Sequence, residues 1–236
     1  MLDDVFRRNV LQRPDDIAIA DPPNRADFAP GSARRLNYTE ADRIISAIAA
    51  RLRQLGLQPD AVVGILLPNT VEAVLTLLGV LRAGMIAAPL PLLWRRADAA
   101  QALSRVGAKA IVTTSQADGF DLCGLAMQVA AELFPVRHVC SFGSDLRDGV
   151  IPFDDLLTAR ADPLPPSRRE RSPGLHVAVV TWEVGPDGVV AVARNHAQLI
   201  AGGLATLLEG GLEPDTAILG CCAPSSFAGL ALTVLP

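Results

Sequence analysis

AVVGILLPNTVEAVLTLLGVLRAGMIAAPL, residues 61–90, decides the fold. Ala61 to Leu67 is a continuous apolar run with no alternation, the pattern of a strand covered on both faces in a parallel sheet. Pro68-Asn69-Thr70 turns the chain into a helical stretch that begins at Val71 and ends near Gly84. Met85 to Leu92 is a second buried strand, closed by prolines. Strand, helix and strand in this order make a parallel unit with a right-handed crossover.

The pattern extends in both directions. Upstream, the spacing predicts a helix opening at Thr39, with Asp42 three positions on as a near capping box. Ile44, Ile45, Ile48, Leu52 and Leu55 form its apolar face, and Gly56 is a natural stop. Downstream, helices are expected over 96–106, 121–134 and 153–159, and strands over 110–113 and 136–141. The fold class is therefore α/β, a parallel sheet flanked by helices. Residues 1–159 form a first α/β subdomain, and the proline- and arginine-rich stretch 160–174 reads as an exposed linker. Residues 175–236 begin a second α/β unit: strands at 177–181 and 189–193, a helix from His196 to about Glu209 capped by Asn195, and a strand at 217–222. The apolar run Phe227–Pro236 resembles a helix start with nothing to bury it, so the expectation is an N-terminal fragment of a longer protein, with self-association favoured through that end.

Composition removes several function classes. The net charge is -4, which opposes a general nucleic-acid footprint. Only one of the 21 basic residues, Lys109, is a lysine. The start of the chain is charged throughout and carries no secretory signal. Glu72, Arg82, Pro68 and Pro89 interrupt the most hydrophobic stretch, so no membrane span is expected. Cys123, Cys140, Cys221 and Cys222 form no CxxC pair and share no metal spacing with the three histidines; buried, reduced thiols in a cytoplasmic protein are expected. His138 and His176 read as strand-edge residues, and Trp94 and Trp182 as packing residues.

Several segments, in order and spacing, resemble the N-terminal region of AMP-forming acyl-CoA synthetases of the adenylate-forming superfamily. They are RPDDIAIAD, LNYTE, QLGLQPDAVV, LLPNTVEAV, RAGMIAAPL and VGAKAIVT. The resemblance implies an acid–thiol ligase: a carboxylate attacks the α-phosphate of ATP, and a thiol then takes the acyl group from the adenylate. It implies ATP with magnesium, CoA, and a carboxylic acid or acyl small molecule as ligands of an active full-length parent. The adenine site, the magnesium-binding acid and the mobile C-terminal domain come later in such sequences, so residues 1–236 are expected to hold no cofactor, to have no catalytic or metal-binding residue assigned, and to be inactive alone.

The family's phosphate loop ends in Pro-Lys-Gly, with a Ser/Thr-His pair soon after. By resemblance it falls on Trp182 to Ala191, with Trp182, Glu183, Gly185, Asp187 and Gly188 as the equivalent positions and His196 on the histidine. Val190 stands at the lysine position and Val189 at the proline. Such loops work through amides, hydroxyls and a lysine converging on phosphate oxygens. Here the stretch has two acids and no lysine. An acid about 6 Å from a phosphate charge costs about 3 kcal/mol at an effective dielectric near 20. The expected local field repels a triphosphate, and Gly185-Pro186-Asp187-Gly188 reads as a hairpin turn.

CCAPSSFAGL takes the place of a family segment that lines the acyl pocket, with Pro224, Gly229 and Leu230 as matches and the family histidine missing. Ser225 or Ser226 with His196 suggests a hydrolytic nucleophile, but no G-x-S-x-G elbow surrounds either serine. Three readings stand at this point: the N-terminal part of an acyl-CoA synthetase-like ligase, a catalytically degenerate protein that binds an acyl ligand or a partner, and a peptide-synthetase-type adenylation domain.

Overall fold

The structure, a computed structural model, describes residues 1–159, 164–165, 172–186, 188–213 and 216–236. The chain opens with helix α1 (Leu2–Gln12), followed by an antiparallel pair of short strands, β1 (Ile17–Ala20) and β2 (Arg35–Asn37). Helix α2 (Tyr38–Gln54) leads into strands and helices that alternate: β3 (Val62–Leu66), α3 (Val71–Arg82), β4 (Ile86–Pro89), α4 (Arg96–Arg105), β5 (Ala110–Thr114), α5 (Leu122–Glu132), β6 (His138–Phe142) and β7 (Ile151–Pro152). The last elements are β8 (Val177–Gly185), β9 (Gly188–Asn195) and α6 (His196–Gly210). Seven strands form one sheet in the order β7-β6-β5-β3-β4-β8-β9. Every neighbouring pair is parallel except β8 and β9. Strands from both sides of residues 160–174 thus share one sheet through Ala87 and Val179.

The unalternating apolar sequence of β3 follows from its place in the middle. All five of its residues are buried. Val63 and Ile65 face a core cluster built with α2 and α3, while Val62 and Leu66 face a second cluster built with α4 and α5. A strand with a helical layer on each face has no polar side to show. Gly79 lets α2 and α3 approach closely: a Cβ there would lie 2.6 Å from Ile48 Cγ2.

Two buried guanidinium clusters hold the N-terminal segment against α3. At the helix C-terminal end Arg82 is fully buried. Its Nε and Nη2 donate to Asp3 Oδ1 at 3.0 and 2.8 Å, and its Nη1 donates to Ser46 Oγ at 2.8 Å and to the Asp42 carbonyl at 3.0 Å. Asp42 Oδ1 lies 2.7 Å from Arg82 Nη2. It lacks a well-directed hydrogen bond, so this contact is Coulombic. At the N-terminal end Arg25 bridges Asp21 and Glu72, and Asp21 Oδ1 accepts from the Val71 amide at 2.8 Å. Burial opposes the charge on Arg25, but the hydrogen bonds it donates to the Glu72 and Asp21 carboxylates, with their negative charges, outweigh it and raise its pKa.

Several local expectations change. Helix α1 precedes the helix expected first. Helix α2 starts at Tyr38, not Thr39: Asn37 Oδ1 accepts from the Glu40 amide at 2.8 Å and Glu40 Oε2 from the Asn37 amide at 2.9 Å, a reciprocal box. Asp42 is drawn inward by Arg82 instead of capping. Residues 217–222 form no strand and take no part in the pairing of either sheet. Cys221 and Cys222 are accordingly exposed, whereas Cys123 and Cys140 are buried as expected. The terminal apolar run is not bare. Phe227–Gly229 is a helical turn that passes into a π-turn, Leu230–Val234, and packs on α6. Thr206 Oγ1 donates to the Ala231 carbonyl at 2.8 Å, and Leu230 is fully buried. Among the described residues no helix is long and apolar enough to cross a membrane.

Two predictions follow from the burial pattern. Arg82→Met leaves Asp42 buried without its cation and Asp3 paired with Arg7 alone, so urea unfolding should show a loss of about 3–5 kcal/mol, and a loss under about 1 kcal/mol would contradict the clamp. Burial raises the pKa of the Cys123 thiol and pushes the Cys140 thiol up to about 12. At about pH 8, iodoacetamide should label Cys221 and Cys222 in the folded chain and reach Cys123 and Cys140 only after unfolding, as read by peptide mass spectrometry.

Candidate functional site

The stretch in the place of the phosphate loop is a closed β-hairpin. Strands β8 and β9 pair without interruption from Val179↔Arg194 to Gly185↔Gly188, leaving Pro186 and Asp187 as a two-residue connection. Gly188 has φ +105°, a conformation that side chains resist, so a glycine ends the turn. Asp187 lies outside the described residues. Along such a ladder successive N–H groups point to opposite edges of the strand. An anion nest needs successive N–H groups to converge on one point. The described residues of the hairpin offer no such convergence.

The side chains on the hairpin have other work. Trp182 is buried, its Nε1 donates to the Pro89 carbonyl at 2.7 Å, and its ring meets Trp94 edge-on with centroids 5.3 Å apart. Both tryptophans pack as expected. Glu183 is exposed at the rim and forms an ion pair with Arg194 Nη2. Arg194 also donates from Nε to Thr181 Oγ1 at 3.3 Å, and its guanidinium carbon lies 4.7 Å from the centre of the Phe227 ring. This cation corrects the expected field: the charge of Glu183 is balanced within the hairpin. The residue spacing alone hid it, but an antiparallel register that pairs Val179 with Arg194 and Thr181 with Val192 sets Arg194 on the Glu183 face.

His196 is buried at the start of α6, where Asn195 Oδ1 caps the helix by accepting from the Gln198 amide at 2.8 Å. Its Nδ1 accepts from the Leu2 amide at 3.2 Å, so the histidine ties α1 to α6. Nothing places it with Ser225 or Ser226 as a nucleophile–base pair: Ser226 Oγ instead accepts from the Gly229 amide at 3.0 Å.

A cavity of about 190 Å³ lies at the C-terminal ends of β3 and β4. Ile65 and Leu67 line it from β3 and its loop, Leu77 from α3, Leu90 from the end of β4, and Pro224 from the last segment. Of the three positions matched to the acyl pocket, Pro224 alone reaches this cavity. Leu230 belongs to the core. Gly229 packs so tightly that a Cβ would fall 1.9 Å from the Ala223 carbonyl oxygen. Pro89 joins the two features: it lines the cavity, and its carbonyl holds Trp182. Asn69 and Leu90 line the cavity but carried no sequence signal of a site, and Ser225, weighed in the sequence only as a nucleophile, lines it as well. The position of the strand ends was the one usable signal, since ligands of open α/β sheets gather there.

Known proteins resemble this chain along most of its length. Residues 6–172 match the family described as AMP-binding enzyme. The salicyl-AMP ligase / salicyl-S-ArCP synthetase of Mycobacterium tuberculosis is 32% identical over 138 residues, 58% of this chain and 24% of that protein. The beauvericin nonribosomal cyclodepsipeptide synthetase of Gibberella fujikuroi is 36% identical over 86 residues, 36% of this chain and 2% of that protein. The acetoacetyl-CoA synthetase from Streptomyces lividans shares the fold, with a TM-score of 0.81 at 20% identity over 98% of this chain and 37% of that one. The chain thus spans well under half the length of each of these relatives. The family match ends ahead of β8, so the hairpin lies beyond it. With the match covering residues 6–172, most of the chain, the chain belongs to the AMP-binding enzyme family of adenylate-forming proteins.

Proposed function

We propose that this chain is the N-terminal portion of an acid–thiol ligase-like protein whose ligand is a carboxylic acid or acyl compound, and that residues 1–236 do not themselves adenylate. Family membership and relatives named as a salicyl-AMP ligase and an acetoacetyl-CoA synthetase support the first part. The observation that carries the second is the unbroken β8–β9 pairing down to Gly185 and Gly188. An active full-length ligase would use ATP, magnesium and CoA. In this chain no lysine stands in the hairpin, and the arginine nearest Glu183 is engaged with that acid and with Phe227.

The same ladder favours a second reading, a cytoplasmic protein that keeps an acyl or partner site and has lost nucleotide capture throughout. Calorimetry of the full-length protein with Mg·ATP separates the readings, because saturable binding supports the ligase and its absence supports the binding protein. Residues 1–236 should show no carboxylate-dependent ATP–pyrophosphate exchange above an enzyme-free control with acetate, benzoate or octanoate. Exchange that rises with enzyme concentration would overturn the proposal.

A further inference from the structure

The two edges of the seven-stranded sheet are finished differently. At one edge β7 is only two residues long and ends in Pro152. The Pro152 carbonyl accepts from Arg51 Nη1 at 3.1 Å, so that edge offers a new strand almost nothing. At the other edge β9 runs for eight residues, Gly188 to Asn195. Its first part, Gly-Val-Val-Ala-Val-Ala, holds no charge and no proline. No strand among the described residues pairs with its outer side. A long apolar edge without such devices is a template for another strand.

The hairpin register fixes which groups that edge presents. Gly185 and Gly188 flank the two-residue connection and face each other. The backbone groups of Gly188, Val190, Val192 and Arg194 therefore point to β8, and those of Val189, Ala191 and Ala193 point outward. The exposed Arg105 side chain, at the end of α4, donates from Nη1 to the Val189 carbonyl, as an outward carbonyl allows. That oxygen keeps a second lone pair. Val189 and Ala191 pack with Trp182 on the α4 face of the sheet, and alternation puts exposed Ala193 on the same face.

The outward positions are symmetric about Ala191, and this selects the occupant. A second copy of β9, antiparallel and related by a two-fold axis at Ala191, sets Ala191 against Ala191, Val189 against Ala193, and Val190 against Val192. Residues of the first two kinds of pair present outward N–H and C=O groups, so each such pair exchanges two hydrogen bonds. Val190 and Val192 are β-branched and pack well across strands. Arg194 falls opposite Gly188, so the register opposes no two charges of like sign. We propose that β9 is the contact of a two-fold symmetric dimer, in which two copies of this chain join their sheets edge to edge. This goes beyond the ligase reading and does not rest on it, because the joined edge is the side of β9 turned away from β8.

Sedimentation velocity on residues 1–236 tests the dimer, in reducing buffer so that exposed Cys221 and Cys222 form no cross-links. A reversible monomer–dimer equilibrium is expected over about 1–100 μM. Ala191→Pro removes an outward N–H and spares the β8–β9 ladder, so it should weaken the dimer at least about tenfold. Exposed Ala193 gives a test specific to the register, and one that stands if the proline disturbs the hairpin. It faces Val189 of the other copy, and with it that copy's Arg105. Ala193→Glu should tighten the dimer about threefold and Ala193→Lys weaken it about threefold, since each contact occurs twice. Isotope-filtered NMR on mixed labelled and unlabelled chains should show contacts from Val190 of one copy to Val192 of the other. A monomer at every concentration overturns the proposal, whether the edge stays bare or another segment of a longer chain covers it. So does a dimer indifferent to Ala191→Pro and to the charge at 193, or one whose contacts between copies lie elsewhere, as on the exposed Leu204 and Leu208 of α6.

Discussion

In an extended strand the N–H groups of successive residues point to opposite edges, and that alternation is the constraint on which the function of this chain turns. A phosphate loop escapes it by leaving the extended conformation, so that several amides face one anion. Here β8 and β9 stay extended and paired to the last position before the turn. The backbone cannot serve as ladder and as nest in the same residues. Side chains reinforce the ladder from both faces: Trp182 anchors one to β4 through Pro89, and Arg194 crosses the other to Thr181 and Glu183. Opening the hairpin around an anion would therefore break packing and ion pairing as well as strand pairing.

The same economy of polar groups shapes the opposite side of the sheet. Helix α3 supplies a wall of the cavity through Ala73 and Leu77, and it is held at one end by Arg25 with Glu72 and at the other by Arg82 with Asp3. Both clusters are buried, so their charges remain only because partners surround them. Each ties the first part of the chain to α3: Asp3 comes from α1, and Asp21 and Arg25 from the segment after β1. His196 extends the arrangement by joining α6 to the start of α1. The wall of the cavity is thus set by groups remote from it in sequence.

Much of this was legible from residues. The unalternating run 61–67 announced a strand covered on both faces, and the helices expected over 71–84 and 96–106 lie close to those seen. Gly-Pro-Asp-Gly announced the hairpin turn, where Gly185 pairs with Gly188. Long-range pairing was not legible. Arg82 reads only as a break in the most hydrophobic stretch until Asp3 and Asp42 are folded against it. Arg194 reads as an unremarkable strand residue until the register places it over Glu183. Thr39 was the expected cap because it begins the periodic stretch, yet its hydroxyl donates to the Pro14 carbonyl while Asn37 caps. The strand expected over 217–222 had the composition but makes no strand pairing, and a strand exists only in a pair.

The most direct test of the hairpin is to follow its backbone amides by NMR while pyrophosphate, and separately Mg·ATP, is added to residues 1–236. The account predicts that the Glu183, Gly185, Gly188 and Val190 amide shifts stay in place and that cross-strand contacts between Glu183 and Val190 persist. Saturable movement of those amides, together with loss of the cross-strand contacts, would show the strands parting to receive phosphate and would contradict it.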